Sequence, residues 1–189
     1  MASTEPVFAM VPERAGGVTV SRVESCVVMA LRYLPDGKDN VVQALRAVGL
    51  VAVPAPGQWV GPAADVASSL GPWALWRSPT EVTLLSDQGC AAVVQTALAG
   101  QRFACAIDLS DGVLILELRG AGASNLDDLL AHLMDIRSIP ATAGAASRAR
   151  LVDIPVVSMR LGSDRLWLMA DACQDDYLSA WLQHAGAVC

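Results

Sequence analysis

The chain has 189 residues, of which 53% are hydrophobic and 17% are charged, and its formal net charge is −6. This acidic balance, without a cluster of lysine and arginine, argues against nucleic-acid and anionic-membrane partners. No apolar stretch is long enough for a membrane span, and the first residues lack the pattern of a signal peptide, so we expect a cytoplasmic protein. So few charges leave apolar surface that we expect to bury against a partner.

The cysteines show neither a metal-binding spacing nor a disulfide framework, since there is no C-x-x-C and no histidine at a ligand spacing. An odd number of scattered thiols fits a reducing compartment. The familiar nucleotide-binding loops and the G-x-S-x-G elbow are also absent from the sequence. The five cysteines are Cys26, Cys90, Cys105, Cys173 and Cys189.

Residues 1–16 are polar and contain proline, which predicts a flexible or partner-bound tail ahead of a single domain over residues 17–189. Residues 18–33 predict one bent strand or two short strands. A helix is predicted over residues 40–48, ending at Gly49.

A short strand over residues 50–53 is expected next. The proline-bearing stretch 54–62 cannot form a regular element. Its Trp59 either packs against another chain or folds back onto its own core.

From Gly71 onward, an order of strand, strand and helix occurs three times. In its first occurrence, residues 73–77 and 82–85 predict a strand pair. Asp87 is placed to cap the following helix, which ends at Gly100.

The second occurrence spans residues 103–134. A hairpin is predicted in which Ser110-Asp111-Gly112 reverses the chain, with an apolar second strand over residues 113–118 that suits a central position in a sheet. Ser124 predicts the N-cap of the next helix, with Asp127 in the capping-box position. The spacing of its apolar residues predicts one buried face, formed by Leu126, Leu129, Leu130, Leu133 and Met134.

Residues 137–150 are rich in alanine, serine and glycine and show no clear pattern. The third occurrence follows, with strands over 154–161 and 165–169 on either side of a turn and a last helix capped by Asp171. We expect this helix to direct Tyr177, Leu178, Trp181 and Leu182 inward.

Strand pairs that alternate with single helices indicate the α+β class. We expect antiparallel sheets with helices on one face, most simply as two ferredoxin-like halves of about 17–100 and 101–189 built from repeated strand-strand-helix units.

Five carboxylates near the middle of the chain suggest paired catalytic acids, but turns and first helical turns explain each of them. A catalytic pair also needs a companion base, acid or metal, and the sequence places none nearby. The structural interpretation is therefore favoured for Asp108, Asp111, Asp127, Asp128 and Asp135.

Two histidines are the residues best suited to proton transfer at neutral pH. His132 lies beside the leucine stripe and His184 ends the last helix, and no serine, cysteine or lysine is paired with either in sequence. Lys38 is the only lysine of the chain. We therefore predict no catalytic, cofactor-binding or metal-binding residue.

The stretch AIDLSDGVLILELRGAGASNLDDLL resembles the D-L-S-x-G, L-x-L-x-G and D-x-L-L pattern of the glycine-cleavage T-protein-like folate enzymes. Within that superfamily it is most similar to the gamma subunit of heterotetrameric sarcosine oxidase. The segments WALWRSPTEVTLLSD, VDIPVVSMRLGSDRLWLMA and DACQDDYLSAWLQHA support this narrower likeness. The chain departs from the family at residues 77–81 and 120–123 and in the histidine-free linker 137–150, so it resembles a divergent member.

This resemblance implies a T-protein-like fold and a place in a four-chain flavoenzyme with alpha, beta and delta partners. Such an enzyme converts sarcosine to glycine, with formaldehyde or methylene-tetrahydrofolate and hydrogen peroxide as further products. FAD, covalently held FMN, NAD and tetrahydrofolate belong to the larger subunits, and the gamma subunit packs against the folate domain of the alpha subunit.

Three alternatives stay open. The complex could oxidise another N-methyl amino acid or secondary amine, as in an N-methylglutamate dehydrogenase. The chain could instead be a small folate-binding aminomethyltransferase, in which Asp108 would be the acid-base or amine-orienting residue by analogy. It could also be a free-standing regulator or scaffold.

Overall fold

Two five-stranded antiparallel sheets contain the strands of residues 17–61 and 71–188, the part of the chain that the computed structural model describes. In chain order, the strands are β1 (Val18–Arg22), β2 (Val27–Tyr33), β3 (Trp59–Val60), β4 (Trp73–Ser78), β5 (Glu81–Ser86), β6 (Ala104–Asp108), β7 (Val113–Gly120), β8 (Ala146–Leu151), β9 (Ile154–Arg160) and β10 (Arg165–Asp171). The helices are α1 (Lys38–Ala47), α2 (Gln88–Leu98), α3 (Ala123–Ala131) and α4 (Asp175–Val188). Within these described ranges, no helix is long and apolar enough to cross a membrane.

The chain divides into two units, which we call the first unit (Ser25–Asp111) and the second unit (Met1–Glu24 with Gly112–Cys189). In the first unit, the sheet order is β3-β4-β5-β2-β6, and the chain runs β2, α1, β3, β4, β5, α2, β6. Apart from the short edge strand β3, this is the βαββαβ connection of a ferredoxin-like sheet. Its core lies between the sheet and the two helices and includes Met29, Leu31, Leu45, Leu84 and Val94.

The second unit has the same topology, with one strand taken from elsewhere in the chain. Its sheet order is β1-β7-β10-β9-β8, and the chain runs β7, α3, β8, β9, β10, α4. The closing edge strand is β1, which comes from the beginning of the chain and pairs with β7 from Val18↔Gly120 to Arg22↔Leu116. The core of this unit includes Leu116, Leu118, Leu130, Leu166 and Leu178.

This architecture confirms the predicted α+β class with antiparallel sheets and helices on one face of each sheet. The boundary between the predicted halves, at about residue 100, is wrong. Strand β6 belongs to the sheet of the first unit, and β1 belongs to that of the second. Local sequence patterns predict where strands form, but the sheet that a strand joins depends on its pairing with strands far away in the chain. The predicted tail, residues 1–16, lies outside the described residues.

The hairpin predicted from residues 103–118 is also wrong. Strand β6 pairs with β2, whereas β7 pairs with β1 and β10, so the two strands lie in different sheets. Ser110–Gly112 forms a single turn of 3-10 helix that connects them. The prediction that β7 is a central strand is confirmed, because residues that face both sides of it are buried, including Leu116 and Ile115.

Several local predictions are confirmed. The β4–β5 and β9–β10 pairs form as expected. Helix α2 begins at Asp87, whose carboxylate accepts a hydrogen bond of 2.7 Å from the backbone N–H of Cys90. Helix α1 buries Val41 and Leu45. Gly49 then adopts a φ of +86°, a conformation that favours glycine.

The leucine stripe is buried as predicted, but its helix begins differently. Leu126, Leu129, Leu130, Leu133 and Met134 all belong to the core of the second unit. The N-cap of α3 is Gly122 and no side chain caps the helix, so the predicted capping box at Ser124 is wrong. The chain turns tightly just before α3, where a Cβ on Gly120 would lie 2.5 Å from the carbonyl oxygen of Gly122.

Four further predictions need correction. Residues 50–53 form no strand, and the unpatterned stretch 137–150 contains most of β8. Asp171 precedes a turn of 3-10 helix and does not cap a helix with its side chain, and α4 begins at Asp175. Tyr177 is 45% exposed, so it does not point into the core as Leu178 does.

Candidate functional site

Asp108 is the carboxylate for which the sequence suggested a specific catalytic role, that of an acid-base or amine-orienting group. It ends β6, and its Oδ1 accepts hydrogen bonds from the backbone N–H of Ser110 at 2.9 Å and from the Ser110 hydroxyl at 2.6 Å. These two hydrogen bonds hold the pKa of Asp108 below its ordinary value, and the side chain is exposed. The Ser110 oxygen in turn accepts from the backbone N–H of Val28 at 3.1 Å. Asp108 therefore fixes the turn that ends the sheet of the first unit.

The other four carboxylates are not brought together into a catalytic pair. Asp127 forms an ion pair of 2.8 Å with Arg160. Asp135 caps a short turn and binds Arg137, and the hydrogen bonds from the Arg137 side chain and backbone lower its pKa to about 2. Asp111 and Asp128 are exposed. Among the described residues, no three histidine, cysteine, aspartate or glutamate side chains are grouped so that they could hold a metal ion.

Both histidines are exposed. The prediction that His184 ends the last helix is wrong, because α4 continues to Val188. His132 is the C-cap of α3 and is exposed. The ring of His184 packs edge-on against Trp181, with 6.0 Å between ring centroids. Neither forms a hydrogen bond or ion pair with another described side chain that would make it a catalytic base.

The cysteines that the structure describes are free thiols. Burial raises the pKa of Cys26 to about 11, an effect partly offset by a backbone hydrogen bond at Ser86. Burial also raises the pKa of Cys90, and the nearby Asp87 adds to this. A raised pKa keeps a thiol protonated and unreactive, so these two side chains behave as packing groups. Cys105 and Cys173 are exposed, and Cys189 lies outside the described residues.

A buried carboxylate that the sequence did not identify lies on β7. Glu117 is 9% exposed and accepts hydrogen bonds from Trp167 Nε1 at 2.8 Å and from Arg165 Nε at 2.9 Å, and Arg119 Nε also contacts it. Burial alone would raise its pKa, but the hydrogen bonds from Trp167, Arg119 and Arg165 together leave the pKa below its ordinary value. The carboxylate is fully ligated, which suits a structural role better than proton transfer.

Two surface cavities of the first unit are lined by described residues. One, of about 450 Å³, is lined by Arg32, Glu81, Arg102 and Phe103 among others. Within it, Arg32 Nε lies 2.8 Å from Glu81, and Arg102 lies over the Phe103 ring at 5.0 Å. The other, of about 540 Å³, lies between α1 and residues 51–56, and we call it the α1 groove.

Trp59 folds back onto its own unit. It is 7% exposed, and its ring centroid lies 5.8 Å from that of Trp73 with a tilt of 59°. Of the two roles considered for this side chain, the structure supports the internal one.

The fold that these units build is the T-protein-like α+β fold, and comparison with solved structures agrees. A chain of the heterotetrameric sarcosine oxidase from Corynebacterium sp. U-96, solved in complex with pyrrole 2-carboxylate, superposes with a TM-score of 0.74 and 24% identity over 91% of this chain and 85% of that chain. The glycine cleavage system aminomethyltransferase T from Bartonella henselae superposes with a TM-score of 0.63 and 15% identity over 87% of this chain but only 45% of that chain. No protein-family model and no curated protein matches the sequence.

These likenesses confirm the fold that the sequence resemblance implies. The chain has the fold of a sarcosine oxidase chain over nearly the whole length of both, and it corresponds to less than half of the aminomethyltransferase.

Proposed function

We propose that this chain is a non-catalytic subunit of a heterotetrameric sarcosine oxidase-type flavoenzyme. The observation that carries the proposal is the extent of the likeness, which covers 91% of this chain and 85% of the sarcosine oxidase chain. By comparison, the likeness to aminomethyltransferase T covers only 45% of that enzyme. The extent of the match therefore favours the oxidase chain as the relative.

The candidate groups support a structural role. Asp108 holds a turn, Glu117 is ligated by three side chains, and Asp127 pairs with Arg160. Each of these three carboxylates thus has a partner that serves the fold. In the proposed complex, the chain stabilises the alpha subunit that carries the folate domain.

The reaction of the complex is the oxidative demethylation of sarcosine to glycine, with formaldehyde or methylene-tetrahydrofolate and hydrogen peroxide as the other products. FAD, FMN, NAD and tetrahydrofolate are expected in the alpha, beta and delta partners, in the cytoplasm, and not in this chain. A closely related proposal is a complex that oxidises another N-methyl amino acid, such as an N-methylglutamate dehydrogenase.

Affinity purification of the tagged chain from its native cell tests the proposal. We expect three further chains to co-purify in equal amounts, with flavin absorbance near 450 nm and peroxide production on adding sarcosine. Oxidation of another N-methyl amino acid but not of sarcosine, followed as peroxide production or as reduction of an artificial electron acceptor, would select the related oxidase or dehydrogenase. A chain that purifies alone as a colourless monomer or homodimer would contradict both and favour a free-standing regulator or scaffold.

The fold of aminomethyltransferase T supports one alternative, a small folate-binding transferase that uses Asp108. Titration of the purified chain with tetrahydrofolate separates the two functions. Asp108→Asn keeps an oxygen that can accept from Ser110 but removes the charge, so it tests the carboxylate without removing the turn. We expect no saturable binding by the wild-type chain. Saturable binding that Asp108→Asn abolishes would establish the transferase function instead.

A further inference from the structure

The α1 groove is lined by apolar, aromatic and cationic side chains. Its volume of about 540 Å³ is within the range of natural ligand pockets. The floor and far wall are formed by residues 51–56, which include two prolines, and by the aromatic side chain of Trp76. Val51, which also lines the groove, is 78% exposed and so offers an apolar contact to a ligand.

Lys38, Val42 and Arg46 line the opposite wall. They occupy positions i, i+4 and i+8 of α1, so they lie along one face of the helix. Among the described residues that line the groove, none is acidic. The groove therefore presents two cations, one on each side of the apolar Val42.

These two cations differ from most others in the described part of the chain. Eight arginines there form ion pairs, as Arg32 does with Glu81. Within the same residues, the cationic side chains that form no ion pair are Lys38, Arg46, Arg102 and Arg148. Two of these four border one groove in a protein whose net charge is −6. The groove thus favours an acidic ligand although the protein as a whole disfavours one.

The spacing of the cations selects the kind of ligand. Eight residues of α-helix separate them by about 12 Å along the axis, too far for one carboxylate to bridge. In an extended polypeptide, residues i and i+4 lie on the same side about 13 Å apart, and residue i+2 lies between them on that side. An extended segment with two acidic residues separated by three others, and an apolar residue in the middle, matches Lys38, Val42 and Arg46 in order.

We propose that the α1 groove binds an extended acidic segment of a partner polypeptide, with carboxylates four positions apart and an apolar side chain midway. The two carboxylates contact Lys38 and Arg46, and the apolar side chain packs on Val42 and the exposed Val51. This inference goes beyond the subunit role proposed above and does not depend on it, since binding is measured on the full chain alone.

A labelled peptide of the sequence Thr-Glu-Thr-Val-Thr-Glu-Thr is the probe, and fluorescence anisotropy is the measurement. We expect saturable binding that weakens with added salt. Two control peptides, one with both glutamates replaced by glutamine and one with the two glutamates adjacent, should bind more weakly. Equal binding of the adjacent-glutamate peptide would overturn the proposed spacing.

Charge-removing variants locate the site. Lys38→Gln and Arg46→Gln should each raise the dissociation constant about two- to fivefold, the range of an exposed ion pair. Because the two sites are separate, the effects should multiply in the double variant to about four- to twenty-five-fold. Arg148→Gln removes an exposed cation of the second unit that also lacks an ion pair, so it is the matched control and should leave binding unchanged.

Pairing each variant with a peptide that lacks one glutamate shows which carboxylate contacts which cation. The proposal would be overturned if no cation of the groove were energetically coupled to either glutamate of the peptide. It would also be overturned if Arg148→Gln weakened binding as much as Arg46→Gln. Equal binding of a single-stranded oligonucleotide would overturn it as well. A second copy of the chain is the remaining possible occupant of the groove, and size-exclusion chromatography of the wild-type chain and the double variant tests it. Self-association that only the wild type shows would assign the groove to a second copy.

Discussion

Trp167 lies directly opposite Glu117 across the β7–β10 pair, and its indole Nε1 donates a hydrogen bond of 2.8 Å to the buried carboxylate. Arg165 approaches the same oxygen from the same strand, with its Nη2 at 2.6 Å. The three side chains come from two neighbouring strands and share one face of the sheet. Glu117 therefore links β7 to β10 through side-chain hydrogen bonds, in addition to the backbone hydrogen bonds of the strand pair.

Removing the charge of Glu117 should destabilise the second unit. Glu117→Gln leaves Arg165 and Arg119 beside a neutral group, and breaking a buried ion pair typically costs about 3 to 5 kcal/mol. Trp167→Phe removes one donor and keeps most of the ring, so we expect a smaller loss of about 1 to 2 kcal/mol. Urea denaturation of the purified chain measures both. Asp128→Asn, on the exposed surface, is the control and should have no effect. Equal stability of Glu117→Gln and wild type would contradict the role of this cluster.

The same carboxylate gives the stability a defined pH dependence. The folded pKa of Glu117 lies below its ordinary value of 4.5, so the folded state binds the proton less readily than the unfolded state does. Its contribution is complete above pH 4.5 and is lost as the pH falls through the folded pKa. The difference in stability between wild type and Glu117→Gln should therefore shrink as the pH is lowered from 5 to 3. A constant difference over that range would show that Glu117 does not contribute through its charge.

Two adjacent aspartates on α3 should differ in importance. Asp127 pairs with Arg160, whose side chain is 3% exposed, whereas Asp128 is exposed to solvent. Asp127→Ala leaves a buried guanidinium without this partner, and we expect a loss of about 1 to 3 kcal/mol because Asp127 itself is only half-buried. Asp128→Ala should change the stability by less than about 0.5 kcal/mol. Thermal denaturation of the two variants side by side tests this, and similar losses would rule out a special role for the Asp127–Arg160 pair.

The leucine stripe of α3 should carry much of the packing energy of its unit. Leu130 is fully buried, so Leu130→Ala removes its branched end and leaves a cavity, at a cost of about 2 to 5 kcal/mol. Val93→Ala shortens a side chain that is 45% exposed on α2 and serves as the control, with an expected change below about 0.5 kcal/mol. Unfolding curves for both variants, compared with the wild type, provide the measurement. An unchanged midpoint for Leu130→Ala would place the core elsewhere.

Thiol reactivity should follow burial. With a pKa of about 11, Cys26 is almost entirely protonated at pH 8, whereas alkylation requires the thiolate. We expect iodoacetamide at this pH to label the exposed Cys105 and Cys173 first and Cys26 only after unfolding. Mass spectrometry of proteolytic fragments, sampled over time, gives the rate at each position. Rapid labelling of Cys26 in the folded chain would contradict its placement.

The sequence predicted those elements whose signals are local. Asp87 marked the start of α2 because a cap and an apolar period occur within a few residues. The β9–β10 pair was evident because a turn of small and polar residues joins two apolar runs. Strand β8 was missed because its sequence, ASRARL, contains alanine, serine and arginine in place of β-branched residues.

The parts that sequence could not predict depend on distant pairing. Arg165 and Trp167 contact Glu117 across 48 and 50 positions of chain, so no local pattern predicts the cluster. For the same reason, β6 and β7 looked like a hairpin although they belong to different sheets. The spacing of Lys38, Val42 and Arg46 was visible in the sequence, but only the structure places residues 51–56 and Trp76 across from them.

The second unit is built from two separate stretches of the chain, which affects the order in which its strands can pair during synthesis. Strand β1 emerges from the ribosome before the other described strands of its sheet, and the strand that it pairs with, β7, follows the whole of the first unit. Ser25–Asp111 contains all of its own strands and can close as soon as it is translated. The nascent N-terminal strand, by contrast, must wait with its backbone amides hydrated until Val113–Gly120 appears.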